Sequence, residues 1–162
     1  MQFCYDGAMP KRILMLVLLA APIAALPARG AEPVESCLAE SWLPKQLVCL
    51  RQAAIDAGDP GLCLRSNDPA VRWQCVAAYA DQARDPSQCE ILPPNDLEPA
   101  GITRELCRGH LATTWRDPSL CRPLRTPNLA DSCLLQLVQR GADKALCGEI
   151  ENALLRDACL EG

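Results

Sequence analysis

Eleven cysteines and a single histidine carry most of the reactive side-chain chemistry available to this 162-residue chain. Thiolates bind soft metals, attack electrophiles or exchange with disulfides, and each use demands its own spacing. Zinc fingers and ribbons take close pairs such as Cys-x2-Cys, while haem attachment and thioredoxin-type exchange need Cys-x-x-Cys. No two cysteines here stand closer than 12 positions, so none of those chemistries fits. Copper handling in an exported protein calls for Met or His ligands. The methionines are Met1, Met9 and Met15, all near the start, and the histidine is His110.

His110 follows Gly109 on a helical pattern and reads as a surface or inter-unit residue rather than a ligand or base. Gly-x-Ser-x-Gly, P-loop and Gly-x-Gly-x-x-Gly signatures are absent, so no nucleophile or phosphate cradle is announced. The expectation is a protein without enzymatic activity and without a cofactor. The alternative is a store for soft metal ions such as Cu(I), held by the cysteine thiolates. One cysteine per predicted helix, rather than several at three- or four-residue spacing, weighs against it.

The cysteines that remain after Cys4 are Cys37, Cys49, Cys63, Cys75, Cys89, Cys107, Cys121, Cys133, Cys147 and Cys159. Their successive gaps are 12, 14, 12, 14, 18, 14, 12, 14 and 12, a 26-residue period with one six-residue insertion. Asp59, Asp85, Asp117 and Asp143 each precede a cysteine by four positions, and Pro60, Pro86 and Pro118 follow the first three. Self-similarity at a fixed period is the mark of a repeat array.

Each Asp-Pro reads as a helix start: aspartate accepts from unpaired backbone N–H groups, and proline at the first helical position has no N–H to leave unpaired. Asp68-Pro69 and Thr126-Pro127 repeat that logic before longer helical patterns, and Asn152 is placed to cap the last. The four-residue spacing of Val71, Cys75 and Tyr79, of Cys107, Leu111 and Trp115, and of Leu129, Cys133 and Leu137 marks the long helices. Gly58 and Gly141 read as helix stops. The predicted fold class is therefore all-α: a short solenoid of five helical hairpins, residues 33–58, 59–84, 85–116, 117–142 and 143–162. Its outermost unit should present a polar face. Such layouts resemble tetratricopeptide-type solenoids in general plan, but the shorter period and unmatched signature residues carry no family knowledge across.

Pairing within units (Cys37–Cys49, Cys63–Cys75, Cys89–Cys107, Cys121–Cys133, Cys147–Cys159) leaves no cysteine over and straddles each predicted turn. Pairing across the 14-residue gaps strands Cys37 and Cys159 at opposite ends. Five hairpin staples are expected, each closing a loop of about 13 residues and contributing roughly 3 kcal/mol in the chain-entropy model.

Without Cys4 the cysteines number ten, an even count that fits an oxidising compartment, and the N-terminus agrees. Lys11 and Arg12 precede an apolar run from Ile13 to Leu26, too short to span a bilayer, and Ala28 and Gly30 offer small residues for cleavage. The reading is a signal peptide over residues 1–30 with the start at Met9, then a single cysteine-rich domain over 31–162, periplasmic or secreted. That domain has 13 Lys and Arg against 19 Asp and Glu, a net charge of −6, which removes any electrostatic reason to bind nucleic acid. Its partner is expected to be another exported protein or peptide. The insertion, with Pro93, Pro94, Asn95, Asp96, Leu97, Glu98 and Pro99, is a candidate partner loop, although a tolerated surface insertion is the favoured explanation. Trp42, Trp73 and Trp115 offer themselves as partner anchors, but with so few aromatics available they are expected to fill the core.

Overall fold

The computed structural model describes residues 34–94 and 102–161, and every described element is helical. The predicted leader, with Cys4 and Met9, and loop positions Asn95, Asp96, Leu97, Glu98 and Pro99 lie outside the described residues. Six α-helices run in order: α1 (Val34–Ala39), α2 (Leu43–Ala57), α3 (Pro69–Ala83), α4 (Thr103–Trp115), α5 (Pro127–Gln139) and α6 (Ala153–Glu161). Short 3-10 segments, Pro60–Arg65, Pro86–Ile91, Pro118–Leu120 and Lys144–Glu149, precede α3, α4, α5 and α6. Each unit is thus a short helix, a turn and a longer helix, repeated five times.

The short helices of the second to fifth units are 3-10, and the aspartates show why. Asp59, Asp85, Asp117 and Asp143 accept from the backbone N–H two residues on, at Gly61, Ser87, Ser119 and Ala145 (2.8–2.9 Å). Asp68, which opens the α-helix α3, accepts instead from Val71 three residues on, at 3.0 Å. The tighter turn leaves the chain wound with i→i+3 bonds. Asn152 caps α6 through the N–H groups of Leu154 and Leu155. Thr126 departs from expectation: its side chain makes no cap bond. The Glu105 carboxylate of α4 takes the Thr126 N–H at 3.0 Å instead.

Left-handed residues turn each long helix back. Gly58 (φ 64°) and Gly141 (φ 91°) do so at no steric cost, but the equivalent turns after α3 and α4 use Arg84 (φ 54°) and Arg116 (φ 57°). The following N–H then reaches back to close a Schellman-type turn: Asp59 to Ala54, Asp85 to Ala80, Asp117 to Ala112, and Ala142 to Leu137, at 2.9–3.1 Å.

The disulfides are Cys37–Cys49, Cys63–Cys75, Cys89–Cys107, Cys121–Cys133 and Cys147–Cys159, with Cα–Cα separations of 5.4–5.8 Å. A second repeated bond runs beside them. Three residues before the second cysteine of a unit stands Gln46, Arg72, Arg104 or Arg156, and each donates to the carbonyl that ends its own short helix, at Glu40, Ser66, Leu92 and Ile150. Every one of these hairpins is therefore closed twice, covalently and by a side-chain donor. The fourth unit has Ala130 in that place.

Apolar packing follows the units. One cluster joins Leu50, Ala54, Val71, Val76, Ala80, Leu92 and Leu111 with the first three disulfides. Another joins Ala112, Leu124, Leu134, Leu137, Leu146 and Ile150 with the last two. Adjacent residues Leu111 and Ala112 belong to different clusters, so α4 is the element that couples the two halves. Trp73 and Trp115 pack half-buried against the first cluster. Trp42 does not fill the core: it is 65 % exposed. It stands where Asp68, Thr126 and Asn152 stand in their units, a cap position at the rim of a hairpin. Nor is the outer side of the last unit polar, since Leu154 is 81 % exposed and Leu160 also faces solvent. Leu160 follows its cysteine as Leu50, Val76 and Leu134 follow theirs, and those three are buried by packing between units.

Candidate functional site: a groove across the long helices

The junctions between units fix the register of the long helices. Two buried carboxylates do this in the second half. Glu105 holds the start of α5 as described, and both oxygens of Asp131 in α5 accept at 2.9 Å, from the Glu151 and Asn152 N–H groups at the start of α6. Each acid lies two residues before its cysteine, so one long helix caps the next. In the first half the buried amide of Gln46 takes the Ser66 hydroxyl at 2.9 Å. Trp115 Nε1 donates to Asp81 at 2.5 Å while Arg84 stacks 5.5 Å over the indole, locking α4 against the end of α3.

With the helices so aligned, two depressions open between the long helices. The first, about 200 Å³, lies between α4 and α5 and is lined by Trp73, Leu106, His110, Leu129, Gln136 and Arg140 among others. The second, about 230 Å³, lies across α2 and α3 beside Leu47, Arg51, Trp73, Gln74 and Ala78, with His110 at its edge. Both are lined by Trp73 and His110, whose rings meet edge-on with centroids 6.2 Å apart, so the two depressions adjoin at this pair and together reach from α2 to α5. Each part is smaller than the roughly 300–1,000 Å³ of a small-molecule pocket. The shape suits a run of side chains laid along a surface.

Its electrostatics are one-sided. Arg51 at one end and Arg140 at the other are exposed and make no ion pair among the described residues. The one carboxylate in the lining, Glu105, is 5 % exposed and turned to the Thr126 N–H. Positive charge therefore reaches the surface of the groove in a chain whose net charge is −4.

A catalytic constellation is not assembled here. Thr113 and Ser132 share the groove with His110, but the Thr113 hydroxyl donates to the His110 carbonyl at 2.9 Å, and among the described residues no hydrogen bond joins the His110 ring to a hydroxyl or carboxylate. The carboxylates with displaced pKa values sit elsewhere and all move down. Glu149 is lowered by hydrogen bonding to Arg122, Glu40 by Lys45, Asp85 by Ser87 and Gln88, and Glu35 by its own backbone N–H and then Arg65. Lowered surface carboxylates belong to caps and ion pairs, not to general acids, whose pKa must be raised. Groups of three or more His, Cys, Asp or Glu able to hold a metal are also absent among the described residues.

Of the expected partner-loop residues, Pro93 and Pro94 are described. Pro94 borders a separate depression of about 380 Å³ with Glu90, Arg104, Glu105, Arg108, Pro123 and Arg125. Arg104 there is engaged with the Leu92 and Glu90 carbonyls and, like Arg108, with the Glu90 carboxylate. Those guanidiniums tie the short helix of the third unit to α4, while exposed Arg125 at the same depression makes no ion pair among the described residues. Arg51 and Arg140 escaped sequence reasoning because an isolated arginine on a helix carries no pattern; only the stacking register sets them at opposite ends of one groove. No protein-family model, curated protein or solved structure matches this chain.

Proposed function

We propose that the chain is an exported, non-enzymatic binding module whose ligand lies in the groove across α2 to α5. The observation that carries the reading is the Trp73–His110 pair: a half-buried indole, packed below on the first cluster, and an exposed imidazole where two depressions adjoin, neither ring making a hydrogen bond among the described residues. Half-exposed aromatics in such grooves are the usual anchors of protein–protein recognition. Stacked helical hairpins serve by presenting extended surfaces of this kind.

Five disulfides fit an oxidising, extracellular compartment. The leader-like N-terminus supports export to the periplasm or the medium. No helix among the described residues is long and apolar enough to cross a membrane. A soft-metal store requires free thiolates, and the ten cysteines are engaged as cystine, which favours the binding module over that alternative.

Affinity capture from the exported fraction of the source cells tests the proposal, with immobilised wild type and Trp73→Ala side by side. A discrete protein retained by wild type and lost from the variant is the expected result. Identical retention on both columns overturns the assignment to this groove. Alkylation and intact mass before reduction test the metal alternative at the same time, since free thiols with bound copper would replace the binding reading altogether.

A further inference from the structure

The groove's charge narrows what it takes, and this step rests on the binding reading above. We infer that its ligand is an extended acidic peptide segment: an apolar side chain seated against Trp73, with carboxylates on either side reaching Arg51 and Arg140.

The apolar seat is Trp73 with Leu47 on one side and Leu106 and Leu129 on the other. Gly109 forms part of the floor between Leu124 and the Cys133 sulfur. Gln74, Ser132 and Gln136 supply polar edges suited to peptide N–H and C=O groups. From α2 to α5 the groove crosses three helix spacings of roughly 8–10 Å, about 27 Å in all, or about eight residues of extended chain at roughly 3.3 Å each.

Charge selects among extended segments of that length. The exposed ionisable groups of the lining are Arg51, His110 and Arg140, and the lone carboxylate is buried under the start of α5. Elsewhere several arginines are answered by carboxylates: Arg65 by Glu35, Arg104 and Arg108 by Glu90, Arg122 by Glu149. Exposed Arg116 and Arg125 make no ion pair among the described residues, and they line neither depression of the groove. Arg51 and Arg140 are unanswered among the described residues, and they bracket the apolar seat. A basic segment would meet repulsion at both ends. A neutral one would leave both guanidiniums unused, although Arg recognises carboxylates in a paired, directional way.

The test is selection from a randomised ten-residue peptide library on the folded, oxidised protein, run in parallel with an Arg51→Glu/Arg140→Glu variant. Both side chains are exposed and outside the packing clusters, so the variant should keep the wild-type melting temperature and α-helical circular dichroism, measured alongside. Expected is enrichment of Asp and Glu on both sides of an apolar position with wild type, replaced by Lys and Arg with the variant. The best wild-type peptide should bind the variant about tenfold more weakly, and should bind wild type more weakly as salt rises. Enrichment of apolar sequences with no charge preference, unchanged by the variant, overturns the acidic ligand while the groove reading stands. No enrichment over the blank support overturns both.

Discussion

Removal of the Cys147–Cys159 disulfide, by Cys147→Ala with Cys159→Ala, should melt one unit and leave the rest folded. The bridge joins residues 12 apart and closes a loop of about 13 residues, for which chain entropy gives about 3 kcal/mol. What else holds α6 is slight. It has nine residues, of which Cys159 is the one fully buried, and isolated helices below roughly 12–15 residues are marginal in water. The remaining ties are the two Asp131 bonds at its start, the Arg156 bond to the Ile150 carbonyl and the half-buried Leu155 against the second cluster. A loss of about 3 kcal/mol corresponds to roughly a hundredfold fall in hydrogen-exchange protection for the α6 amides. Protection in α2, α3 and α4 should change less than about threefold, because stability in a repeat array propagates through neighbours. The control is Cys89→Ala with Cys107→Ala: its loop is longer (separation 18), yet its entropic worth is greater by only about 0.3 kcal/mol. It sits in α4, which joins both packing clusters, so its loss should lower protection along the whole chain. Hydrogen exchange read by mass spectrometry on peptic fragments distinguishes the two patterns. Uniform loss in both variants, or intact protection of α6 in the first, would refute the nearest-neighbour reasoning.

Three further outcomes follow from particular residues. Arg116→Gly should stabilise the protein by about 1 kcal/mol in urea denaturation, by relieving a left-handed backbone at a non-glycine residue, and Arg84→Gly should gain less because it gives up the stack on Trp115. Asp131→Ala strands two backbone N–H groups at the start of α6 and should cost about 2–3 kcal/mol in the same measurement, with Asp131→Asn intermediate. Glu149 is held below its ordinary value of 4.5 chiefly by its hydrogen bond to Arg122, so its contribution is present above that value and is lost as pH falls through the lowered one. Glu149→Gln should accordingly flatten the acid side of the stability–pH curve below about pH 4.5 and leave the variant's slope from pH 6 to 8 unchanged.

How much of this molecule was legible depended on whether the information was periodic. The 26-residue alternation of cysteines and the Asp-Pro starts announced five hairpins and a within-unit pairing, and the helices end where Gly58 and Gly141 said they would. A periodic signal was also overlooked: Gln46, Arg72, Arg104 and Arg156, each three before a cysteine, are visible once the units are aligned. Other features had no local signature. Arginine is a poor left-handed residue, so Arg84 and Arg116 are imposed by the turn between stacked helices. Trp42 could not be told from Trp73 by type, because the difference lies in which positions face a neighbouring unit. Trp73 and His110 are 37 positions apart, and their meeting depends on the stacking register alone. The groove is a property of the array, and no single unit contains it.

Connectivity has a consequence for how such a chain reaches its native covalent state. The ten cysteines of the array pair first with second, third with fourth, and so on to the end, with no bridge crossing another. A chain released all at once into oxidant must choose among on the order of a thousand pairings. A chain threaded N-terminus first through a translocation pore faces one choice at a time: when each second cysteine emerges, its correct partner is the nearest unpaired thiol already outside. The order of emergence then does the work of disulfide isomerisation. Glu105 and Asp131 impose the same direction on the backbone, since each finished long helix offers the acceptor that starts the next.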